Sequence, residues 1–107
     1  GRSDDMLIIR GVNLFPTQIE ELIVKERVLA PHYLIEVTRP KNMDEIAVLV
    51  ERTPMSGYND GEAAGERLSQ LIKSLIGISA EVKVAAPGTI ERSVGKAKRV
   101  IDKRPRA

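Results

Sequence analysis

Tyr33-Leu34-Ile35-Glu36-Val37-Thr38-Arg39, Pro40-Lys41-Asn42 and then Glu45-Ile46-Ala47-Val48-Leu49-Val50-Glu51-Arg52-Thr53 form the stretch that decides the fold. In its first part Tyr33, Ile35 and Val37 recur at every second position, the period of a strand with one buried face. The last part repeats the pattern, with Ile46, Val48 and Val50 alternating against Ala47, Leu49 and Glu51. Pro40-Lys41-Asn42 between them is turn chemistry. A link this short joins antiparallel strands, because parallel ones need a crossover of a dozen residues or more. The spacing therefore predicts an antiparallel hairpin.

Toward the N-terminus, Met6-Leu7-Ile8-Ile9 is a short apolar run that reads as a strand, and Arg10-Gly11-Val12-Asn13 reads as a turn. Pro16 suits the first position of a helix, where its missing N–H is not needed. Ile19, Leu22 and Ile23 follow at helical spacing, with Gln18, Glu20, Glu21 and Lys25 facing outward. Glu20 and Glu21 fall early in this helix, where its dipole favours acids, and Pro31 ends the element. Toward the C-terminus, Pro54 to Asp60 reads as a loop. From Glu62 a helical stripe of Ala64, Leu68, Leu71, Ile72, Leu75 and Ile76 runs to Gly77, which is placed to stop it. Ser79 to Val84 alternates as a strand, and Val100-Ile101-Asp102 reads as a short edge strand after a polar loop. The order is β-α-β-β-α-β, an α+β two-layer sandwich of ferredoxin-like type. That order serves many functions and by itself decides none.

The 107 residues fit one domain. Apolar residues at 42% and charged residues at 30% exclude a disordered chain. Without cysteine there are no disulfides, thiol nucleophiles or cysteine-held metals, and with His32 as the one histidine no metal centre is expected. No apolar run approaches the ~20 residues that span a bilayer, so no membrane partner is expected. The opening Gly1-Arg2-Ser3-Asp4-Asp5 lacks the apolar stretch of a secretory signal, which points to a cytoplasmic setting. Its charged, turn-like start without methionine reads as a piece of a longer polypeptide.

Net charge is only +2, but it is unevenly spread. Arg92, Lys96, Lys98, Arg99, Lys103, Arg104 and Arg106 stand near the C-terminus against Asp102 alone. Such a cluster suits an anionic ligand, although a solvated basic tail has the same composition.

Three segments carry more specification than a scaffold needs: Gly1 to Asp5, Arg10-Gly11-Val12-Asn13-Leu14-Phe15-Pro16, and Pro87 through Lys96. Gly95-Lys96 puts an ammonium on a loop whose glycine permits close backbone approach. A compact charge of this kind can bridge a carboxylate and a phosphate oxygen. It is not a Walker A loop, because Glu91 stands where the earlier glycine belongs and no Ser or Thr follows Lys96. Read alone, Gly95-Lys96 is an exposed lysine after a turn glycine, and Arg10-Gly11 is a plain turn.

Together these segments resemble the C-terminal domain of the adenylate-forming superfamily. Gly1-Arg2-Ser3-Asp4-Asp5, Gly11, Phe15-Pro16 and Ile19-Glu20 look like its hinge and glycine-loop motif. Arg10 to Glu20, with Arg92-Ser93-Val94-Gly95-Lys96-Ala97-Lys98-Arg99-Val100, is similar to the phenylacetate–CoA ligase branch of AMP-forming acyl-CoA ligases. Val94 departs from the pattern, standing where an acidic or polar residue is expected.

The resemblance implies that residues 1–107 are a mobile C-terminal lid, with a hinge at 1–5 and a lysine loop at 87–99. The large N-terminal domain that binds ATP and the acid lies outside the chain. It implies activation of a carboxylic acid, phenylacetate-like, as acyl-adenylate, followed by transfer to coenzyme A. ATP with Mg²⁺ and coenzyme A are then substrates of the full enzyme, with nothing held tightly by this domain alone. By position, Lys96 is the adenylation lysine, Asp4 the hinge with Asp5 second choice, and Arg2 a neighbour of the nucleotide ribose. Arg10, Gly11 and Val12 enter the coenzyme A channel, and Lys98 and Arg99 meet coenzyme A phosphates. The N-terminal domain of the same polypeptide is the implied partner, and the surface it would cover offers the isolated domain a route to a homodimer.

Two other classes share the element order. A regulatory domain binding small molecules would have no use for Gly95-Lys96. An RNA-binding module needs aromatic platforms on its strands, and Phe15, Tyr33 and Tyr58 do not make one. No nucleic-acid partner is therefore expected.

Overall fold

The computed structural model describes residues 6–90 and 99–105. In chain order the elements are β1 (Leu7–Ile9), β2 (Val12–Leu14), α1 (Pro16–Val24), β3 (Leu29–Thr38), β4 (Glu45–Arg52), α2 (Tyr58–Leu71), β5 (Glu81–Ala85) and β6 (Val100–Asp102). The hairpin expected from the alternation forms β3 and β4, which pair antiparallel with Tyr33 opposite Val50, Ile35 opposite Val48 and Val37 opposite Ile46. All six side chains point into the core. β5 adds parallel to β4 and β6 adds parallel to β3, giving a four-stranded sheet of order β5-β4-β3-β6.

The α+β class holds, with α1 and α2 packed on one sheet face through Ile19, Leu22, Ile23, Ala64, Leu68 and Ile72. The ferredoxin-like detail is not reproduced. β1 does not enter the main sheet but pairs with β2, a strand that lies in the segment expected to be a turn. The turn itself is only Arg10-Gly11, and both residues have positive φ, 52° and 78°. That is the signature of the tight two-residue turns whose twist matches their flanking strands. Ile9 and Leu14 root this hairpin in the core, both fully buried.

Other boundaries move for local reasons. β3 begins at Leu29, and Pro31 sits inside it at an irregularity between Leu29 and Tyr33. A proline is tolerated there because a bulge asks for no ladder N–H. α2 starts at Tyr58, earlier than the apolar stripe, with the Gly57 N–H donating to Asp60 at 3.4 Å. Its end widens into a π-helical turn over Ile72–Ile76, closed by Gly77 at φ 90°. The wider turn carries Leu75 out of the stripe, to 66% exposure, while Ile72 stays buried.

Gly61 and Gly65 set the helix-to-sheet distance. A Cβ on Gly65 would lie 2.7 Å from Val84 Cγ2, and one on Gly61 would lie 3.1 Å from Val84 Cγ1. Gly65→Ala should therefore destabilise the domain by about 1–3 kcal/mol through overpacking, despite the better helix propensity of alanine. Urea titration of the variant checks this, and a midpoint at or above wild type would refute it. No helix among the described residues is long and apolar enough to cross a membrane.

Candidate functional site

The glycine hairpin and the two ends of the lysine loop are the parts of the expected site that the described residues contain. Arg10 and Gly11 form the exposed tip of the β1–β2 hairpin, with Val12 half-buried beside them. A Cβ at Gly11 would meet nothing within 4 Å, so the tip faces open space. Its φ of 78° explains the glycine on conformational grounds alone.

A polar cluster secures the tip. Arg10 Nε donates to the main-chain carbonyl of Asp44 at 2.7 Å, and Arg39 Nε donates to the Asp44 carboxylate at 2.6 Å. Arg104 donates to the same carboxylate at 2.9 Å and to the Ile8 carbonyl at 2.8 Å. It also grips Asp102 in a two-pronged pair, 3.0 Å and 2.8 Å. Asp102, then Asp44, holds the Arg104 guanidinium protonated well beyond its ordinary value. Arg39 first, and Arg104 with it, holds the Asp44 carboxyl below the usual carboxylate range. Arg67 does the same for Glu26, donating twice across from α2 at 3.0 Å and 2.8 Å.

Carboxylates depressed in the folded state add stability above the ordinary carboxylate range. That contribution is lost as pH falls through their lowered values. The melting temperature of the domain should accordingly be flat from neutral pH to about pH 5 and fall below it. Glu26→Gln should flatten part of that acid limb, and an unchanged acid slope would remove Glu26 from the account. Arg67 is half-exposed, so solvent screens the pair and its contribution at neutral pH is small.

The lysine loop is fixed where it leaves β5 and where it re-enters at β6. On the way out, Pro87-Gly88 makes a tight turn with Gly88 at φ 87°, closed by the Thr89 N–H on the Ala86 carbonyl at 3.3 Å. The turn folds over Glu51 of β4, which is fully buried on the sheet face away from the helices. Its carboxylate accepts the N–H groups of Gly88 at 3.0 Å and Ile90 at 2.5 Å. On the way back, Arg99 lies over the Tyr33 ring, 4.7 Å from its centroid, and donates to Glu20 at 2.9 Å. Tyr33 donates its phenol to the same carboxylate at 2.8 Å. Burial first, then the Glu20 carboxylate, pushes the phenol above its ordinary value against the pull of Arg99. The Arg99 carbonyl accepts the Ile35 N–H at 2.7 Å.

Of the expected site residues, Arg10, Gly11 and Val12 come together at the hairpin, and Arg99 stands apart at the loop exit. Arg2, Asp4, Asp5, Lys96 and Lys98 lie outside the described residues. Glu20, expected on the outward face of the helix, instead joins α1 to Tyr33 and Arg99. It lies beyond the first turn, which carries no acid, so the dipole reason given for it does not apply. Among the described residues no group of three or more His, Asp or Glu side chains could hold a metal ion.

Residues 11–104 match the AMP-binding enzyme C-terminal domain family. The chain is 54% identical over 111 residues to a phenylacetate-coenzyme A ligase of Aromatoleum evansii, covering 99% of this chain and 25% of that protein. It is 50% identical over 107 residues to the enzyme of the same name from Escherichia coli, covering 97% and 24%. The chain thus spans about a quarter of the curated relatives it matches. A crystal structure of a domain of phenylacetate-coenzyme A ligase from Bacteroides vulgatus superposes with a TM-score of 0.86 at 32% identity, covering 98% of each chain. A 2-hydroxyisobutyryl-CoA ligase, in complex with 2-HIB-AMP and CoA in the thioesterification state, matches with a TM-score of 0.84 at 34% identity. That match covers 97% of this chain and 22% of that one.

Proposed function

The chain belongs to the AMP-binding enzyme C-terminal domain family, and on that premise we propose that it is the mobile lid of an AMP-forming aryl-acid CoA ligase acting on phenylacetate or a close analogue. The observation that carries the reading is 54% identity to a phenylacetate-coenzyme A ligase along 99% of the chain. In the first half-reaction a carboxylate oxygen attacks the α-phosphorus of ATP and pyrophosphate leaves. In the second, the sulfur of coenzyme A attacks the acyl carbon and AMP leaves. Neither step needs a nucleophile from this domain.

Lys96 places its ammonium between the acid's carboxylate and the α-phosphate, where negative charge gathers in the transition state. Asp4, or Asp5, is the hinge, and Arg2 lies by the ribose. Arg10, Gly11 and Val12 line the channel for the pantetheine arm in the second conformation, a use that suits an exposed, firmly rooted turn. Lys98 meets coenzyme A phosphate. Arg99, with its guanidinium engaged by Glu20 and Tyr33, contributes at most a shared charge there. Mg²⁺ enters as the ATP chelate, its ligands belonging to the nucleotide and the large N-terminal domain.

Pyrophosphate release by the full-length protein, with ATP, Mg²⁺ and a panel of aryl and fatty acids, tests the reading. Release that depends on an aryl acid is the expected result. Release with fatty acids only would overturn the substrate class, and none with any acid would overturn the activity.

A further inference from the structure

The β1–β2 hairpin is two strands of three residues that, among the described residues, pair only with each other. A lone two-stranded hairpin is marginal in water, yet this one must carry an exposed turn in a fixed direction. Ile9 and Leu14 anchor its base and Leu7 packs against the core beside them, but Ile8 is 54% exposed and a Cβ at Gly11 would meet nothing within 4 Å. Aim has to come from the polar cluster, and Arg104 is its centre.

We propose that Arg104 is a positioning residue for the thioester-forming step, clamping the Arg10-Gly11 turn through the Ile8 carbonyl and Asp44. The proposal rests on the reading of that turn as part of the coenzyme A channel. One guanidinium joins three separate parts of the chain: β1 at Ile8, the residue before β4 at Asp44, and the end of β6 at Asp102. The side chains of Arg104 and Asp44 are only 15% and 14% exposed, although Asp102 on the other side is 40% exposed. Asp44 relays the hold a second time, since its main-chain carbonyl receives Arg10 Nε. The two-pronged grip on Asp102 fixes the plane of the guanidinium, which points its remaining nitrogen at Ile8 and Asp44. Lysine has one rotating ammonium and cannot reproduce that fork.

The test uses the full-length enzyme and follows the half-reactions separately. ATP–pyrophosphate exchange reports adenylation, and thioester yield from preformed acyl-adenylate at saturating coenzyme A reports the second step. Arg104→Met should lower the second-step kcat by about 10- to 100-fold, the scale of a misplaced positioning group. Exchange and the KM for coenzyme A should stay near wild type. Arg104→Lys should not restore the rate, and Asp44→Asn, which keeps the side-chain shape, should show the same selective loss in weaker form. Equal loss in both half-reactions would make Arg104 a general stabilising residue and overturn the proposal. So would an unaffected second step, or full rescue by lysine. Gly11→Trp is the control on the underlying reading. If it blocks thioester formation while Arg104→Met does not, only the Arg104 clamp is overturned; if it leaves thioester formation intact, the channel reading falls with it.

Discussion

Lys96→Ala in the full-length enzyme is expected to slow adenylation by about 10²–10³-fold, the usual cost of removing one charge-stabilising donor from a closed site. Thioester formation from preformed acyl-adenylate should stay close to the wild-type rate. The asymmetry follows from where charge develops. Attack on the α-phosphorus gathers negative charge on phosphate oxygens and on a carboxylate that would otherwise repel them, and an ammonium between the two relieves both. The second step breaks the bond that the first one made, with the thiol supplied by coenzyme A, and has no such convergence of anions. Pyrophosphate exchange alongside single-turnover thioester formation checks the split. Equal losses in the two assays would take Lys96 out of the adenylation role, and an unchanged exchange rate would take it out of the mechanism.

Glu51→Ala should be the most damaging single change to the folded domain among the site's supporting residues. Its carboxylate is fully buried and accepts two main-chain N–H groups, from Gly88 and Ile90. Truncation would leave both donors without that partner and open a void beneath the turn. The combined cost is about 2–4 kcal/mol, which for a domain near 100 residues lowers the melting temperature by roughly 10–25 °C. Glu51→Gln keeps one acceptor oxygen and should lose clearly less. The isolated domain is a fair vehicle, because a domain of the Bacteroides vulgatus relative was crystallised over nearly the same extent. A melting temperature for Glu51→Ala within a few degrees of wild type would show that the turn holds itself.

How much of this was legible in the sequence depends on whether a residue's partners are near it in the chain. The β3–β4 hairpin was plain because Tyr33, Ile35, Val37, Ile46, Val48 and Val50 all bury on a period of two. Both helices announced themselves by stripes, and Gly77 by its place after the last one. β2 escaped because three residues with one polar member, Asn13, are too short for any period to show. Gly61 and Gly65 drew no reading from the sequence, since nothing local says that Val84 will press against them. Glu51 sat at an outward strand position, where an acid normally meets solvent. Among the described residues, the turn at Pro87-Gly88 folds across that face and donates to Glu51.

The candidate site divides in the same way. Gly11 and Lys96 could be picked out because glycine and lysine after particular neighbours form a motif. The residues that brace the hairpin tip and the described ends of the loop could not. Arg104 and Asp44 are 60 positions apart, and Arg99 reaches Glu20 across 79. Neither pairing leaves a spacing in the sequence that differs from two unrelated surface charges. Glu20 was the nearest to visible, as an acid one helix away from Tyr33, but only the strand order brings a basic residue against it.

The strand order β5-β4-β3-β6 also dictates a sequence of events in time. β3 and β4 meet through a connection of a few residues, and β5 follows β4 through one helix. β6 must travel from near the far end of the chain to lie along β3, and it can do so only once β3 presents a formed edge. Closing long loops is slow compared with local pairing, so the last strand to arrive is the one that brings Arg99 and Arg104 into register. During synthesis, when upstream elements can fold before the remainder has been made, the supports for the hairpin tip and for the exit of the loop would be completed together, after the other described strands.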